Sequence, residues 1–157
     1  MTQKLLYRSW IDGSMFVLLM RLVLGVVFFA HGAQKLLGWF GGYGMEGTLG
    51  FLHSLGVPAF FGYSAIFAEF FGALLLLAGL LTRPAALAIG ITMMVAILKV
   101  HIGKGFFSPA GMEFPLTLLL VALGILLYGP GRYSVDALVF GTPADVSIVE
   151  GHEKKAA

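Results

Sequence analysis

His31, Gln34 and Lys35 lie within about one helical turn of one another, and Trp39, Glu46 and His53 follow them. A second polar group, His101, Lys104 and Glu113, lies further along. A quinone headgroup needs hydrogen-bond donors at its carbonyls, a proton route and an apolar slot for its tail. Histidine, glutamine and lysine beside aromatic rings can supply all three. His31, Gln34, Lys35, Trp39, His101 and Glu113 are therefore candidate ligand-binding residues, and His31 and Lys35 are also candidates for catalysis. The plain alternative for each is an ordinary polar residue at a membrane surface. His31, His53 and His101, with Glu46 or Glu113, show no tight ligand spacing such as HExxH, so no metal site is expected. A haem would need two histidines buried between helices, whereas these lie near helix ends. The glycines fit neither a GxGxxG turn after a strand nor a GxxxxGK[ST] loop.

Glu69 is the third candidate for catalysis. It falls 11 residues after Pro58 and 12 before Leu81, in the middle of an apolar run. A carboxylate there is expensive and should face the bundle with a partner. Arg21 lies about 10 Å inside the first apolar run, at a rise of 1.5 Å per residue. The sequence thus suggests an Arg21–Glu69 pair as the structural explanation, with a proton carrier as the functional one.

The elements that must position these groups are membrane helices. The chain is 59% hydrophobic and 11% charged, whereas soluble domains carry about 25% charged residues. Four apolar runs cover about 14–37, 58–81, 85–101 and 111–128, and a span needs about 20 such residues. The fold class is an all-α integral membrane four-helix bundle occupying residues 1–140, followed by a polar tail at 141–157 expected to be mobile. Thr82-Arg83-Pro84 reads as the turn between the second and third helices. Residues 47–57 are too short to span and read as an interfacial helix or a cap. The first 13 residues read as an anchor with membrane-surface character. The first run is too long and too polar for a cleaved signal peptide.

Lys4, Arg8, Arg83, Arg132, Lys154 and Lys155 share one side of this topology, against Lys35, Lys99 and Lys104 on the other. That balance favours both termini in the cytoplasm, with the glycine-rich loop between helices one and two outside. The chain has no cysteine, which excludes disulfides, cysteine-held iron–sulfur clusters and a dithiol relay. Electron transfer would need a bound cofactor or a partner. A net charge of +2 with dispersed basic residues gives no reason to expect nucleic acid.

The stretch His31-Gly32, Gln34-Lys35-Leu36, Gly38, Phe40-Gly41-Gly42, Gly44 and Gly47-Thr48 resembles the signature of the DoxX family. So do Glu69 before Gly72, Thr82-Arg83, His101 with Gly105-Phe106-Phe107, and Gly129-Pro130-Gly131-Arg132. The resemblance covers about Arg21 to Asp136. It implies a multi-pass protein of the bacterial inner membrane, related to the membrane subunit of thiosulfate:quinone oxidoreductase. The function expected is a quinone-linked redox subunit, with no covalent cofactor and a quinone as its ligand. It would act with a soluble or membrane redox partner; a homo-oligomer belongs to the carrier reading below, since four short helices are few for one protomer. Two other readings stay open: a non-catalytic scaffold in an oxidative-stress or other membrane assembly, and an oligomeric small-solute or proton-coupled carrier.

Overall fold

A computed structural model describes residues 13–141. The expected N-terminal anchor, apart from its last residue, and the tail beyond 141 lie outside the described residues. Those described are helical, with no strand among them.

Helix α1 spans Gly13–Leu37, a short 3-10 turn covers Trp39–Gly41, and α2 spans Gly44–Ser54. Helix α3 spans Ala59–Ala78, α4 Thr82–Ala96, α5 Glu113–Tyr128 and α6 Val135–Phe140. The α4 backbone stays helical to Lys104, through a π turn at Ile97–His101 and a 3-10 turn at Ile102–Lys104. Three segments, Gly13–Leu37, Ala59–Ala78 and Thr82–Lys104, are long and apolar enough to cross a membrane, and Glu113–Tyr128 is a shorter apolar helix. Consecutive long helices run antiparallel, and α1 packs on α3, α3 on α4, α4 on α5 and α5 on α1. The result is an up-down-up-down bundle.

One boundary differs from expectation. Thr82-Arg83-Pro84 is the first turn of α4, where a proline lacks no needed hydrogen bond. The chain reverses earlier, at Gly79 and Leu81, both with positive φ (69° and 48°). Gly79 is the left-handed residue after α3, its N–H bonding to Leu76 O. Leu81 is held in an unfavourable conformation because the Asp136 carboxylate accepts its N–H at 2.7 Å and that of Thr82 at 2.9 Å.

The core is a layer of aliphatic and aromatic side chains, among them Leu24, Phe28, Leu76, Ile89, Ala122 and Ile125. The outward faces carry many exposed large apolar residues such as Val26, Phe71, Ile91 and Leu120. In a water-soluble bundle those faces would be polar; here they meet lipid tails.

Candidate functional site

The site is built on the α1–α3 seam. At Gly32 the two helices touch backbone to backbone, and at Gly25 the side chain of Leu77 closes over α1. Small residues permit this approach, which is the usual basis of packing in membranes. The contacts fix an antiparallel register in which Gly32 lies opposite Glu69 and Phe70, and Gly25 opposite Ala73 and Leu77.

That register brings Lys35, one turn beyond Gly32, onto Glu69. The Lys35 ammonium donates to both carboxylate oxygens of Glu69. The Glu69 side chain is 2% exposed and that of Lys35 is 35% exposed. Glu69 therefore has the partner its depth demands, but the partner is not Arg21. The Arg21–Glu69 pair expected from the sequence does not form, because Arg21 sits opposite Gly79, ten residues or about 15 Å further along α3.

Arg21 is buried and spends its fork on carbonyls. Its Nε donates to Leu76 O at 3.1 Å, Nη1 to Pro130 O, and Nη2 to Tyr133 O at 3.0 Å. This ties α1 to the end of α3 and to the 129–134 segment. Ser134 caps α6 by accepting from the Ala137 N–H, which sets Asp136 against the α3–α4 turn. Asp136 and Ser134 carry a structural cluster that sequence reasoning missed. The readable signal was a serine two residues before an aspartate, at the start of a short apolar segment.

Lys35 and Glu69 line a cleft of about 730 Å³. Its walls are largely apolar, from Phe61, Ala65 and Ala68 on α3 and Ala88, Ile91 and Val95 on α4. Helix α2 borders it with Thr48, Phe51 and Leu52. Ser64 and Thr92 also line it, but their hydroxyls donate to Phe60 O and Ala88 O within their own helices. The polar side chains that line it besides these and Glu69 are Lys35, Thr48, Lys99 and His101. Lys99 and His101 lie in the π turn and line the cleft, and π turns are common at functional positions. His101 Nδ1 lies 2.8 Å from Ala110 O. A carbonyl only accepts, so Nδ1 carries the hydrogen and Nε2 is the nitrogen left to give or take a proton.

The other candidates lie elsewhere. His31 is exposed and tilted against Phe114, with ring centroids 6.4 Å apart. Gln34 Nε2 donates to Phe40 O at 3.3 Å, and Gly42 packs on the Gln34 backbone, so Gln34 braces the glycine-rich loop. Trp39 is exposed and packs edge-on against Phe40. Glu113 accepts the Ser108 N–H at 2.7 Å and closes the loop before α5. Of the six candidate ligand residues, the fold gathers Lys35 and His101 at one cleft. Among the described residues, no three histidine, aspartate or glutamate side chains come together to hold a metal ion.

Comparison with known proteins gives the same architecture a lineage. The DoxX family matches residues 16–102. The chain is 35% identical over 123 residues to a Bacillus subtilis (strain 168) protein named "Putative oxidoreductase CatD", covering 78% of this chain and 86% of that one. It is 34% identical over 125 residues to the inner membrane protein YqjF of Escherichia coli (strain K12), covering 78% and 91%. A membrane protein of Mycobacterium tuberculosis, Rv3486, is 32% identical over 142 residues, covering 80% and 82%. No solved structure matches the chain significantly.

Proposed function

This chain belongs to the DoxX family and is a multi-pass protein of the bacterial inner membrane, and on that footing we propose that it is the membrane subunit of a redox system. Its cleft binds a quinone-like ligand. The observation that carries this reading is the Lys35–Glu69 pair, its carboxylate buried and its ammonium half-buried, lining an apolar cleft of about 730 Å³. Two of the three ammonium hydrogens go to Glu69, and the third is left for a ligand carbonyl. Glu69 orients the ammonium, so it positions the donor rather than touching the ligand. Phe61, Ile91 and Val95 offer apolar surface to a ring or a tail. A bound quinone would supply two-electron, two-proton chemistry. The chain has no cysteine, so a redox partner protein would deliver the electrons. The relative named as an oxidoreductase supports the redox class.

The test is a titration of the purified protein in lipid nanodiscs with a short-chain benzoquinone or naphthoquinone, read by thermal shift. Saturable stabilisation is expected, lost in Lys35→Met and retained in His31→Ala and Trp39→Ala. No saturable shift, or a Lys35→Met protein that responds like its parent, sinks the reading.

A specific feature favours a second reading, the scaffold. The loop carrying Trp39, Phe40 and Tyr43 is braced by Gln34, yet it holds Phe40 at a φ of 53° and leaves Tyr43 89% exposed. A strained, rigid display of aromatics suits a docking loop. Its test is affinity capture in gentle detergent with and without Tyr43→Ser. A protein that returns alone from both excludes it.

A further inference from the structure

We infer that the Lys35–Glu69 pair is served from one side only: the cleft is a dead-end inlet, open at the α2 end of the bundle and sealed toward the α6 end. The inference deepens the proposed function by assigning the side from which protons and ligand arrive. It rests on that reading only in taking the same cleft as the working site, and it holds whatever the ligand is.

The antiparallel registers locate the inlet. On α4, Ala85 and Ile89 lie against Gly72 of α3, which puts Thr92 near the depth of Glu69. Lys99 and His101 are then seven to nine residues, or about 10–14 Å, nearer the α2 end. The cleft lining follows this path, from Pro58, Lys99 and His101 at the α2 end to Glu69, Thr92 and Ala88 at the floor, with Phe61, Ile91 and Val95 along its lipid-facing rim. Lys35 is the one member of the pair with appreciable exposure, and it lines the cleft.

Beyond the floor the bundle is dry. Leu22–Ala30 on α1, Phe70–Ala78 on α3, Pro84–Ile91 on α4 and Leu118–Leu127 on α5 contain no polar side chain, and of the α4 stretch only Ala88 and Ile91, at its upper edge, line the cleft. On α4 the apolar stretch below Ala88, Pro84–Leu87, is about 6 Å along the helix axis. Their inward side chains, Leu24, Phe28, Ala73, Leu76, Ile89, Ala122 and Ile125, are each 1% exposed or less. Past this slab Arg21 is locked on the carbonyls of Leu76, Pro130 and Tyr133, and Asp136 on the N–H groups of Leu81 and Thr82. A buried cation would also repel protons entering from that end. In this conformation a proton placed on Glu69 thus returns the way it came.

The absence of native cysteine makes the test clean. Thr92→Cys and Ala65→Cys place a thiol in the cleft with little change of volume, and Ile89→Cys places one in the dry slab. Tyr43→Cys and Leu138→Cys, at exposed positions (89% and 84%), report the two faces. Each full-length variant is reconstituted in vesicles, and a membrane-impermeant thiol reagent is added to one face at a time. Thr92→Cys and Ala65→Cys are expected to react from the face that labels Tyr43→Cys, about tenfold or more faster than Ile89→Cys from either face. Labelling of the cleft thiols from the Leu138 face, labelling from neither face, or rapid labelling of Ile89→Cys overturns the inference. No ligand is present in this assay. A failed quinone titration with one-sided labelling would sink the redox reading and leave the inlet standing, and the reverse pattern would do the opposite.

Discussion

Gly32 and Phe70 are in backbone contact across the α1–α3 seam: a Cβ on Gly32 would lie 2.6 Å from both the N and the Cα of Phe70. The obstacle is main chain, so it cannot rotate away. Close approach at this one position sets the depth at which α1 meets α3, and with it the residue that Lys35 can reach.

Gly32→Ala should therefore push the helices apart. Overpacking of this kind costs about 1–3 kcal/mol, and thermal melting in detergent should show a lowered midpoint. Gly50→Ala is the control. Gly50 lies inside α2, and a Cβ there meets nothing within 4 Å. Alanine is worth about 0.5–1 kcal/mol over glycine within a helix, so this variant should melt at or above the parent. A Gly32→Ala protein that melts like its parent would show that this contact does not set the register.

Removing one member of the Lys35–Glu69 pair should destabilise the bundle more than replacing both. Breaking a buried pair costs about 3–5 kcal/mol, whereas replacing both partners with uncharged residues is often near neutral. The low end is expected because Lys35 is one-third exposed. Lys35→Met should be the more damaging single change, since it leaves a carboxylate 2% exposed without its cation. The double variant Lys35→Met/Glu69→Gln should recover much of the loss. Additive melting shifts across the four proteins would contradict the pairing.

Arg21→Lys keeps the charge and should still fail. A lysine has no planar fork to satisfy carbonyls at Leu76, Pro130 and Tyr133 together. Each buried acceptor left unpaired costs about 1–3 kcal/mol. Limited proteolysis between 129 and 134 should accelerate, because that segment loses its tie to α1. Cleft labelling at Thr92→Cys should be unchanged in the same background, since Arg21 lies on the far side of the dry slab.

Asp136→Ala should loosen the α3–α4 turn, by about 0.5–2 kcal/mol if its two N–H contacts act like a helix cap. Leu81 then keeps a φ of 48° with nothing holding it. Adding Leu81→Gly should restore part of the loss, because glycine takes positive φ without strain. Melting of the single and double variants checks this. A double variant less stable than Asp136→Ala would show that the carboxylate does not hold the turn.

Much of this protein was legible in its residues alone. Runs of apolar residues near 20 long, broken by glycine, proline and charge, leave helices as the only way to satisfy the backbone in lipid. The four runs accordingly match α1, α3, α4 and α5 within a few residues at most ends. The need for Glu69 to turn inward and find a partner also followed from its position, since an isolated carboxylate at that depth is too costly. Which cation it finds did not follow. Arg21 and Lys35 are both on α1, 14 residues apart, and nothing local distinguishes them. The choice depends on how far α1 slides along α3, which is set by where glycines let two backbones touch. The same holds for the cleft. Lys35 and His101 are 66 residues apart, and only the packing of α2, α3 and α4 around a π turn brings them to one cavity. Composition and periodicity determine the solvent and the elements; register, a property of paired surfaces, decides the chemistry.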